Sequence, residues 1–249
     1  MTLEHSLDRT VDIRARRATV FRFFTDPVRW ARWWGDGSTI DPRVGGAVLI
    51  RYPDGSTASG HVRELVADRT LAFTYGYDTP GKPIAPGGSL VTITLADTPA
   101  GTRVELRHDV GDAATRDLHA PGWRHQLAVF EHVVARDAFD PAVIDAWFAA
   151  WSSSTADPRA ALAAAVTAAV AFRDAHGSTT TRDELVEHIA ATRRFAPTLR
   201  LERRGELRHA HGTVLADWAM LRGDQQLATG TNVFRVDADS RVYECLSIS

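Results

Sequence analysis

Hydrophobic residues in the first half of the chain follow a helical spacing, then an alternating one, then a helical one again. Apolar residues cluster over 17–25 and around Trp33 and Trp34, which predicts two short helices. Trp123, Leu127, Phe130 and Val134 recur three and four positions apart, and therefore share one face of a predicted helix over 121–136. Between the helices, turn residues separate strands of an antiparallel meander, predicted at 10–13, 44–52, 57–66, 71–77, 90–95 and 102–108.

The second half of the chain places its helices before most of its strands. Amphipathic spacing predicts helices over 142–152 and from 158 through Leu162, followed by a short strand over 166–172. Thr181 and Glu184 match the Ser/Thr-x-x-Glu capping box, which predicts the start of a third helix ending before Pro197. Four long strands separated by turn residues are then predicted at 199–210, 213–221, 226–236 and 241–248.

A junction between two domains is predicted near residue 138. There the turn-prone segment Phe139-Asp140-Pro141 precedes a new amphipathic helix. A chain of 249 residues is also long for one core and suits two of ordinary size. The predicted fold class is therefore α+β. An antiparallel sheet wraps around a long C-terminal helix over 1–137, and helices pack on a curved antiparallel sheet over 138–249.

Composition and charge narrow the classes of partner and location. The chain has 29 Lys and Arg against 31 Asp and Glu, a net charge of −2, so no basic excess is left for nucleic acid or an anionic membrane. The single cysteine, Cys245, excludes an intramolecular disulfide and favours a reducing cytoplasm. The N-terminus lacks the apolar core of a secretion signal, and the Ala-rich stretch 160–171 is too short to span a bilayer. We therefore expect a cytoplasmic protein with no nucleic-acid or membrane partner.

Several short motifs occur along the first half in a characteristic order. They are Thr25-Asp26-Pro27, Trp33-Trp34, Asp41-Pro42-Arg43-Val44-Gly45-Gly46, Gly60-His61-Val62, Thr102-Arg103 and Gly122-Trp123. In this order they resemble the SRPBCC (START-like, helix-grip) superfamily, and within it the homologues of the heat-shock-protein-90 ATPase activator. The resemblance covers nearly all of residues 8–136 and implies a helix-grip domain.

The second half resembles a SnoaL-like domain of the nuclear-transport-factor-2 cone fold. The motifs are Trp147 with Trp151, Phe172-Arg173-Asp174 with Gly177, His211-Gly212, Trp218, Gly230-Thr231-Asn232-Val233 and Asp239-Ser240-Arg241-Val242. That family includes polyketide cyclases and ketosteroid isomerases, and the resemblance implies a homodimer through the outer face of the sheet. Two positions depart from its pattern: Asn232 stands where Asp is common, and Ser240 where a turn Gly is usual. An amide cannot act as a base, so the first departure bears on chemistry.

A helix laid across a bent sheet leaves an internal space where side chains do not fill it, and such apolar cavities bind ligands. The aromatic and apolar residues of the first domain supply the candidate lining. The candidate ligand-binding residues are Trp33, Trp34, Tyr52, His61, Phe73, Tyr75, Trp123 and Leu127. The alternative is that these residues are ordinary core and that His61 is hydrogen-bonded locally.

Asp174 is the candidate general base of the second domain, because the resemblance puts this strand end at the inner surface of the cone. A carboxylate in an apolar pocket has a raised pKa and can abstract a proton beside a carbonyl. The alternative is that Asp174 caps the turn that follows it. Asn232 and Tyr243 are candidates to polarise the carbonyl, and the neighbouring pocket residues are predicted to be Trp147, Trp151, His188, His209 and Trp218.

The leading hypothesis is that both domains bind a small hydrophobic molecule, a metabolite or polyketide-like compound, without catalysis in the first domain. No cofactor is predicted. No metal is predicted either, because His209 and His211 lack a third ligand. A second hypothesis is a polyketide cyclase or ketosteroid-isomerase-like activity in the second domain. A third is a chaperone-associated role, which only the description of the first family suggests.

Overall fold

The computed structural model describes residues 2–152 and 157–249. The chain forms two compact units, Met1–Asp137 and Ala138–Ser249, called here the first unit and the second unit. Each unit combines helices with a sheet that is largely antiparallel, so the fold class is α+β.

The first unit pairs seven strands in the order β1-β7-β6-β5-β4-β3-β2, with every neighbouring pair antiparallel. Three helices accompany the sheet. The elements in chain order are β1 (His5–Ile13), α1 (Arg17–Thr25), α2 (Pro27–Trp34), β2 (Thr39–Ile40), β3 (Ala47–Arg51), β4 (Thr57–Val66), β5 (Thr70–Tyr77), β6 (Ser89–Thr98), β7 (Gly101–Val110) and α3 (Ala113–Ala138).

The core of the first unit lies between the two short helices, α3 and the sheet. Phe130 of α3 stacks on Phe24 of α1, with ring centroids 4.7 Å apart. Trp30 of α2 is fully buried and meets Phe73 of β5 edge to face at 5.7 Å. Aromatic side chains bury large apolar areas, so these contacts fix α3 on α1 and α2 on the sheet.

Two elements begin earlier than the sequence predicts. Helix α3 begins at Ala113 rather than near Pro121, because the Asp112 carboxylate accepts hydrogen bonds from the backbone N–H (2.8 Å) and hydroxyl (2.8 Å) of Thr115. Pro121 then lies inside the helix. Strand β1 begins at His5 rather than at residue 10, because it pairs with β7 along its whole length. The longer α3 brings an additional turn of side chains to the edge of a cavity described below.

The second unit pairs six strands in the order β10-β11-β12-β13-β8-β9. The sequence does not predict β9, nor that β13 and β8 pair in parallel. The elements are α4 (Ala142–Trp151), α5 (Pro158–Ala165), β8 (Val166–Asp174), β9 (Gly177–Thr179), α6 (Arg182–Phe195), β10 (Leu199–Ala210), β11 (Thr213–Arg222), β12 (Gln225–Val236) and β13 (Val242–Ile248).

Helices α4 and α6 bury one face each on this sheet. Trp147 of α4 is fully buried and lies 5.2 Å from Phe234 and 5.7 Å from Phe172, centroid to centroid. The predicted cap of α6 is confirmed, because the Thr181 hydroxyl accepts a hydrogen bond from the backbone N–H of Glu184 at 3.2 Å.

Ser240 adopts a positive φ of 63°, a conformation that glycine reaches without strain. The serine side chain makes two hydrogen bonds that a glycine could not make. Its hydroxyl accepts from the backbone N–H of Asp140 (2.9 Å) and donates to the carbonyl of Ala138 (3.2 Å). The serine that replaces the usual turn glycine therefore ties the segment before α4 to the β12–β13 turn.

Candidate functional site

The second unit contains a cavity of about 260 Å³, called here the second-unit cavity. Its walls come from α4, from the C-terminal half of α6 with the segment after it, and from the inner face of the sheet. The lining residues are Trp147, Trp151, Phe172, Asp174, Ala175, His176, Thr192, Arg193, Ala196, Leu199, Arg200, Leu201, Trp218, Met220, Ala228, Asn232, Ser247 and Ser249.

The structure brings five of the predicted site residues to this cavity: Trp147, Trp151, Asp174, Trp218 and Asn232. His188 lies behind Asp174 and does not line the cavity. Ten of the eighteen lining residues are apolar, and the other eight are polar or charged, among them Asp174, Arg193 and Arg200.

The structure corrects two other predictions for the second unit. His209 lies near the end of β10, where its ring stacks on Phe139 at 5.1 Å, whereas the cavity is lined by the beginning of that strand. Tyr243 lies at the start of β13, whereas Ser247 near its end lines the cavity. Strand length separates these side chains from the cavity, because each residue advances a strand by about 3.3 Å.

Asp174 is held on both sides of its carboxylate. One oxygen, Oδ1, accepts hydrogen bonds from the backbone N–H groups of His176 and Gly177, each at 2.8 Å. The other, Oδ2, accepts from Nε2 of His188 at 3.2 Å, and the side chain of Asp174 is 15% exposed. Asp174 thus caps the turn that follows it, as the alternative interpretation of the sequence predicts, and it also lines the cavity.

Four buried polar atoms around the second-unit cavity have no hydrogen-bond partner among the described residues. They are the indole nitrogens of Trp147, Trp151 and Trp218 and the side-chain oxygen of Asn232. Asn232 is only 2% exposed. Buried polar groups are nearly always paired, so four such atoms on residues that line one cavity are an exception.

Gly230 makes the position of the Trp218 ring possible. The two residues are cross-strand partners on β12 and β11. A Cβ added at Gly230 would lie 2.4 Å from the Trp218 ring and 2.2 Å from the carbonyl oxygen of Ile248. Glycine is therefore required for the indole to lie across the neighbouring strand and border the cavity.

Sequence reasoning missed Arg193, which lines the same cavity. Its guanidinium donates to the carbonyl oxygens of Ala150 and Ser152, both at 2.5 Å, at the C-terminal end of α4. Burial lowers its pKa. A cation at a helix C-terminus is favourable, so Arg193 fixes the end of the helix that carries Trp147 and Trp151.

The first unit contains a second space of about 460 Å³, called here the first-unit cavity. It lies between the end of α2, the ends of β3 and β5, and the middle of α3. The lining residues are Arg32, Trp33, Trp34, Gly35, Tyr52, Pro53, Tyr75, Tyr77, His119, Gly122, Trp123, His125, Gln126 and Val129.

Five predicted residues of the first domain line this cavity: Trp33, Trp34, Tyr52, Tyr75 and Trp123. Three other predictions are corrected. Phe73 (0% exposed) and Leu127 (5% exposed) are core residues that do not line it. His61 is exposed, because its neighbour Val62 is fully buried and successive strand residues face opposite sides.

Hydrogen bonds select the tautomer of His119, a residue that the sequence analysis did not identify. Its Nδ1 lies 2.7 Å from the carbonyl oxygen of Thr115, which can only accept, so Nδ1 carries the proton. In the neutral ring Nε2 is therefore the acceptor, and the Tyr77 hydroxyl donates to it at 3.4 Å. The hydroxyls of Tyr52 and Tyr75 lie 2.7 Å apart, and the Tyr77 hydroxyl is a hydrogen-bond partner of both, so the three phenols form one network with His119.

His108, also missed, is fully buried beside the same cavity. Trp123 Nε1 donates to its Nδ1 at 3.0 Å, and its Nε2 donates to the Ser89 hydroxyl at 2.8 Å. The Ser89 hydroxyl donates in turn to the Tyr75 carbonyl at 2.8 Å. Burial, with a smaller contribution from the nearby His119, lowers the pKa of His108 to about 3. The neutral imidazole is thus part of the support for Trp123.

Within residues 2–152 and 157–249, no three His, Cys, Asp or Glu side chains are grouped to hold a metal ion. None of the described helices combines the length and the apolar character needed to cross a membrane.

Comparison with protein families gives one match. The family described as "Activator of Hsp90 ATPase homolog 1-like protein" matches residues 14–135, which lie in the first unit and make up just under half of the chain. The resemblance of the first half to this family is therefore confirmed. A comparison with curated proteins finds no match.

Several solved structures are similar to parts of the chain. A protein of Mesorhizobium loti is 21% identical over 53% of this chain and 98% of its own, with a TM-score of 0.48. The Aha1 dimer of Colwellia psychrerythraea is 16% identical over 51% and 93%, with a TM-score of 0.45. A putative isomerase of the SnoaL-like family from Agrobacterium tumefaciens is 18% identical over 43% and 92%, with a TM-score of 0.40.

Proposed function

We propose that the protein binds small, mainly apolar molecules that carry oxygen atoms, with its principal site in the second-unit cavity. One observation carries the proposal: four buried polar atoms without a described partner belong to residues that line one cavity of about 260 Å³. An unpaired buried polar group costs about 1–3 kcal/mol, so a ligand that pairs with it gains affinity.

The types of these atoms indicate the chemistry of the ligand. Indole N–H groups only donate, so Trp147, Trp151 and Trp218 call for acceptor oxygens on the ligand. The oxygen of Asn232 only accepts and calls for a hydroxyl or amine donor. The apolar walls require a hydrophobic body. A hydroxylated cyclic ketone, the kind of molecule that polyketide chemistry provides, combines these features.

A ligand screen tests this proposal. The full chain is titrated with hydroxylated anthraquinones and steroid ketones, and with their parent hydrocarbons, by tryptophan fluorescence and thermal shift. We expect saturable binding of the oxygenated compounds in preference to the hydrocarbons. If no compound of either type binds, the proposal is wrong.

A second candidate function is catalysis in the same cavity, and the position of Asp174 favours it. Its carboxylate borders the cavity, and His188 and two backbone N–H groups hold it in one orientation. A fixed carboxylate next to a bound ketone can remove a proton from the adjacent carbon, while an N–H of Trp218 or Asn232 stabilises the enolate oxygen. Isomerisation and aldol cyclisation both begin with this step.

Replacement of Asp174 tests the catalytic candidate. Wild-type protein should exchange hydrogen for deuterium beside the carbonyl of the tightest ketone from the screen, followed by mass spectrometry. Asp174→Asn should slow this exchange by roughly 10²–10⁴-fold, because the amide cannot accept the proton. The matched control is Asp217→Asn, since Asp217 lies outside this cavity and bonds to Arg208 and Thr231. Equal exchange in wild type and Asp174→Asn would exclude Asp174 as the base.

Three further expectations stay predictions. They are a cytoplasmic location, a homodimer through the second sheet, and a chaperone-associated role. Light scattering tests the dimer, and the ATPase rate of a heat-shock chaperone with and without this protein tests the third.

A further inference from the structure

The protein leaves one hydrogen-bonding position open on the carboxylate of Asp174. Each oxygen of an ionised carboxylate can accept two hydrogen bonds. Oδ1 accepts two, from the backbone N–H groups of His176 and Gly177, each at 2.8 Å. Among the described residues, Oδ2 accepts only one, from Nε2 of His188 at 3.2 Å. The open position therefore lies on Oδ2, the oxygen that His188 also holds.

His188 reaches this oxygen from behind the cavity wall. Its ring lies 5.5 Å from the ring of Phe172 and 5.9 Å from that of Trp151, centroid to centroid, and both of these residues line the cavity. A Cβ built on Gly177 would lie 3.6 Å from Cε1 of the imidazole. Since an ionised carboxylate can only accept, Nε2 carries the hydrogen of the bond to Asp174. Packing thus keeps this N–H directed at Oδ2.

Helix α6 sets the position of the His188 ring. Leu185, three positions before it, and Ile189, one position after it, are fully buried in the core of the second unit. The Thr192 hydroxyl donates to the carbonyl oxygen of His188 at 3.0 Å. The side chains of His188 and Asp174 are 18% and 15% exposed. In such a partly buried place a hydrogen bond to a charged group is stronger than in water, so this bond restrains Oδ2.

The bond from His188 fixes the part of the carboxylate that the turn leaves free. The two bonds to Oδ1 hold one oxygen of Asp174 and allow the other to turn about it. A displacement of about 1 Å at a reacting atom can slow a reaction by roughly 10²-fold. The third bond removes this freedom, and the open position of Oδ2 is then the one left for a ligand in the cavity.

We propose that His188 is a positioning residue for proton abstraction in the second-unit cavity, and that its Nε2–H directs the open lone pair of Oδ2 at the carbon beside the carbonyl of a bound ketone. This inference rests on the catalytic candidate of the proposed function and adds the residue that orients its base. The C–H bond breaks, the proton goes to Oδ2, and the electron pair passes to the carbonyl oxygen as an enolate. In heavy water the new O–H exchanges its hydrogen with solvent, and a deuteron returns to the carbon as the ketone re-forms.

Deuterium exchange into 6-hydroxy-2-tetralone, a hydroxylated cyclic ketone, tests the inference in the full chain. Mass spectrometry follows the exchange at saturating ketone, and quenching of tryptophan fluorescence gives the dissociation constant. His188→Met has a side chain of similar size without a hydrogen-bond donor. It should slow the exchange by about 10–100-fold, because Oδ2 loses its support, and it should change the dissociation constant by less than about twofold.

Rescue by a donor separates positioning from packing. Glutamine is close to methionine in size and keeps an N–H that can reach Oδ2, so His188→Gln should exchange the ketone at least about fivefold faster than His188→Met. The matched control is Glu187→Gln, which alters an exposed charge on the same helix and should exchange at the wild-type rate. His188→Phe also lacks a donor and replaces His188→Met if that variant does not fold, which circular dichroism and thermal melting check.

The outcomes separate this inference from the catalytic candidate itself. If the variants without a donor exchange the ketone as fast as wild type while Asp174→Asn does not, Asp174 is the base and the inference is wrong. If His188→Met and His188→Gln lose the same rate, packing of the ring decides, and the inference is wrong too. If the wild type does not speed the exchange over buffer, the catalytic candidate and this inference fail together, and the fluorescence titration decides separately on binding.

Discussion

Lowering the pH from about 6.5 to 3 should destabilise the first unit far more in the wild type than in a His108→Gln variant. His108 is fully buried, and burial lowers its pKa from 6.5 to about 3 in the folded protein. Above pH 6.5 the ring is neutral in both states, so it has no effect. Below 6.5 the unfolded chain takes up a proton that the folded protein refuses, and stability falls until the folded pKa is reached. The free energy of unfolding should fall by roughly 5 kcal/mol in total, because each pKa unit corresponds to about 1.36 kcal/mol.

The stability of this unit is measured by hydrogen exchange at a series of pH values. Mass spectrometry follows the exchange in peptides of β5 to β7. A glutamine can accept from Trp123 and donate to Ser89, as the neutral imidazole does. The folded protein also loses stability in acid when aspartates with lowered pKa values, such as Asp12 and Asp112, become protonated. Wild type and variant share these aspartates. The difference between the two proteins therefore isolates His108. Parallel pH profiles in wild type and variant would contradict the assignment.

Replacing Asn232 with leucine should weaken the binding of oxygenated ligands by about tenfold or more, because the ligand hydroxyl loses its buried acceptor. The matched control is Thr179→Val. Thr179 is 7% exposed, its hydroxyl is also buried without a described partner, and it does not line the cavity. Titration calorimetry with the tightest compound of the screen should show unchanged affinity for Thr179→Val. Equal affinity of Asn232→Leu and wild type would mean that the amide does not contact the ligand.

Local patterns were sufficient to predict most elements of both units. Alternating apolar residues mark the strands, and the cap at Thr181 marks the start of α6. Two features were missed. The local cap of Asp112 on Thr115 was not recognised as the start of α3, and the pairing of β13 with β8 depends on chain segments far apart in sequence.

The candidate sites were predictable only where a residue gives a signal in the sequence itself. The large aromatics Trp147, Trp218 and Trp123 are conspicuous in the sequence, and all three line cavities. Tyr77 and His119 carry no local signal, because only the packing of α3 on β5 brings them together. His61 could have been assigned to the outer face from strand alternation with Val62.

The central claim is that Asn232 is kept unpaired in the interior for a ligand. Its most direct test is the free energy of unfolding of Asn232→Leu and wild type without ligand, from urea denaturation. Leucine is close in size and removes an unpaired buried oxygen, so we predict an unchanged free energy or a gain of about 1 kcal/mol. A loss of more than about 1 kcal/mol would show that the amide stabilises the fold itself and would contradict the claim.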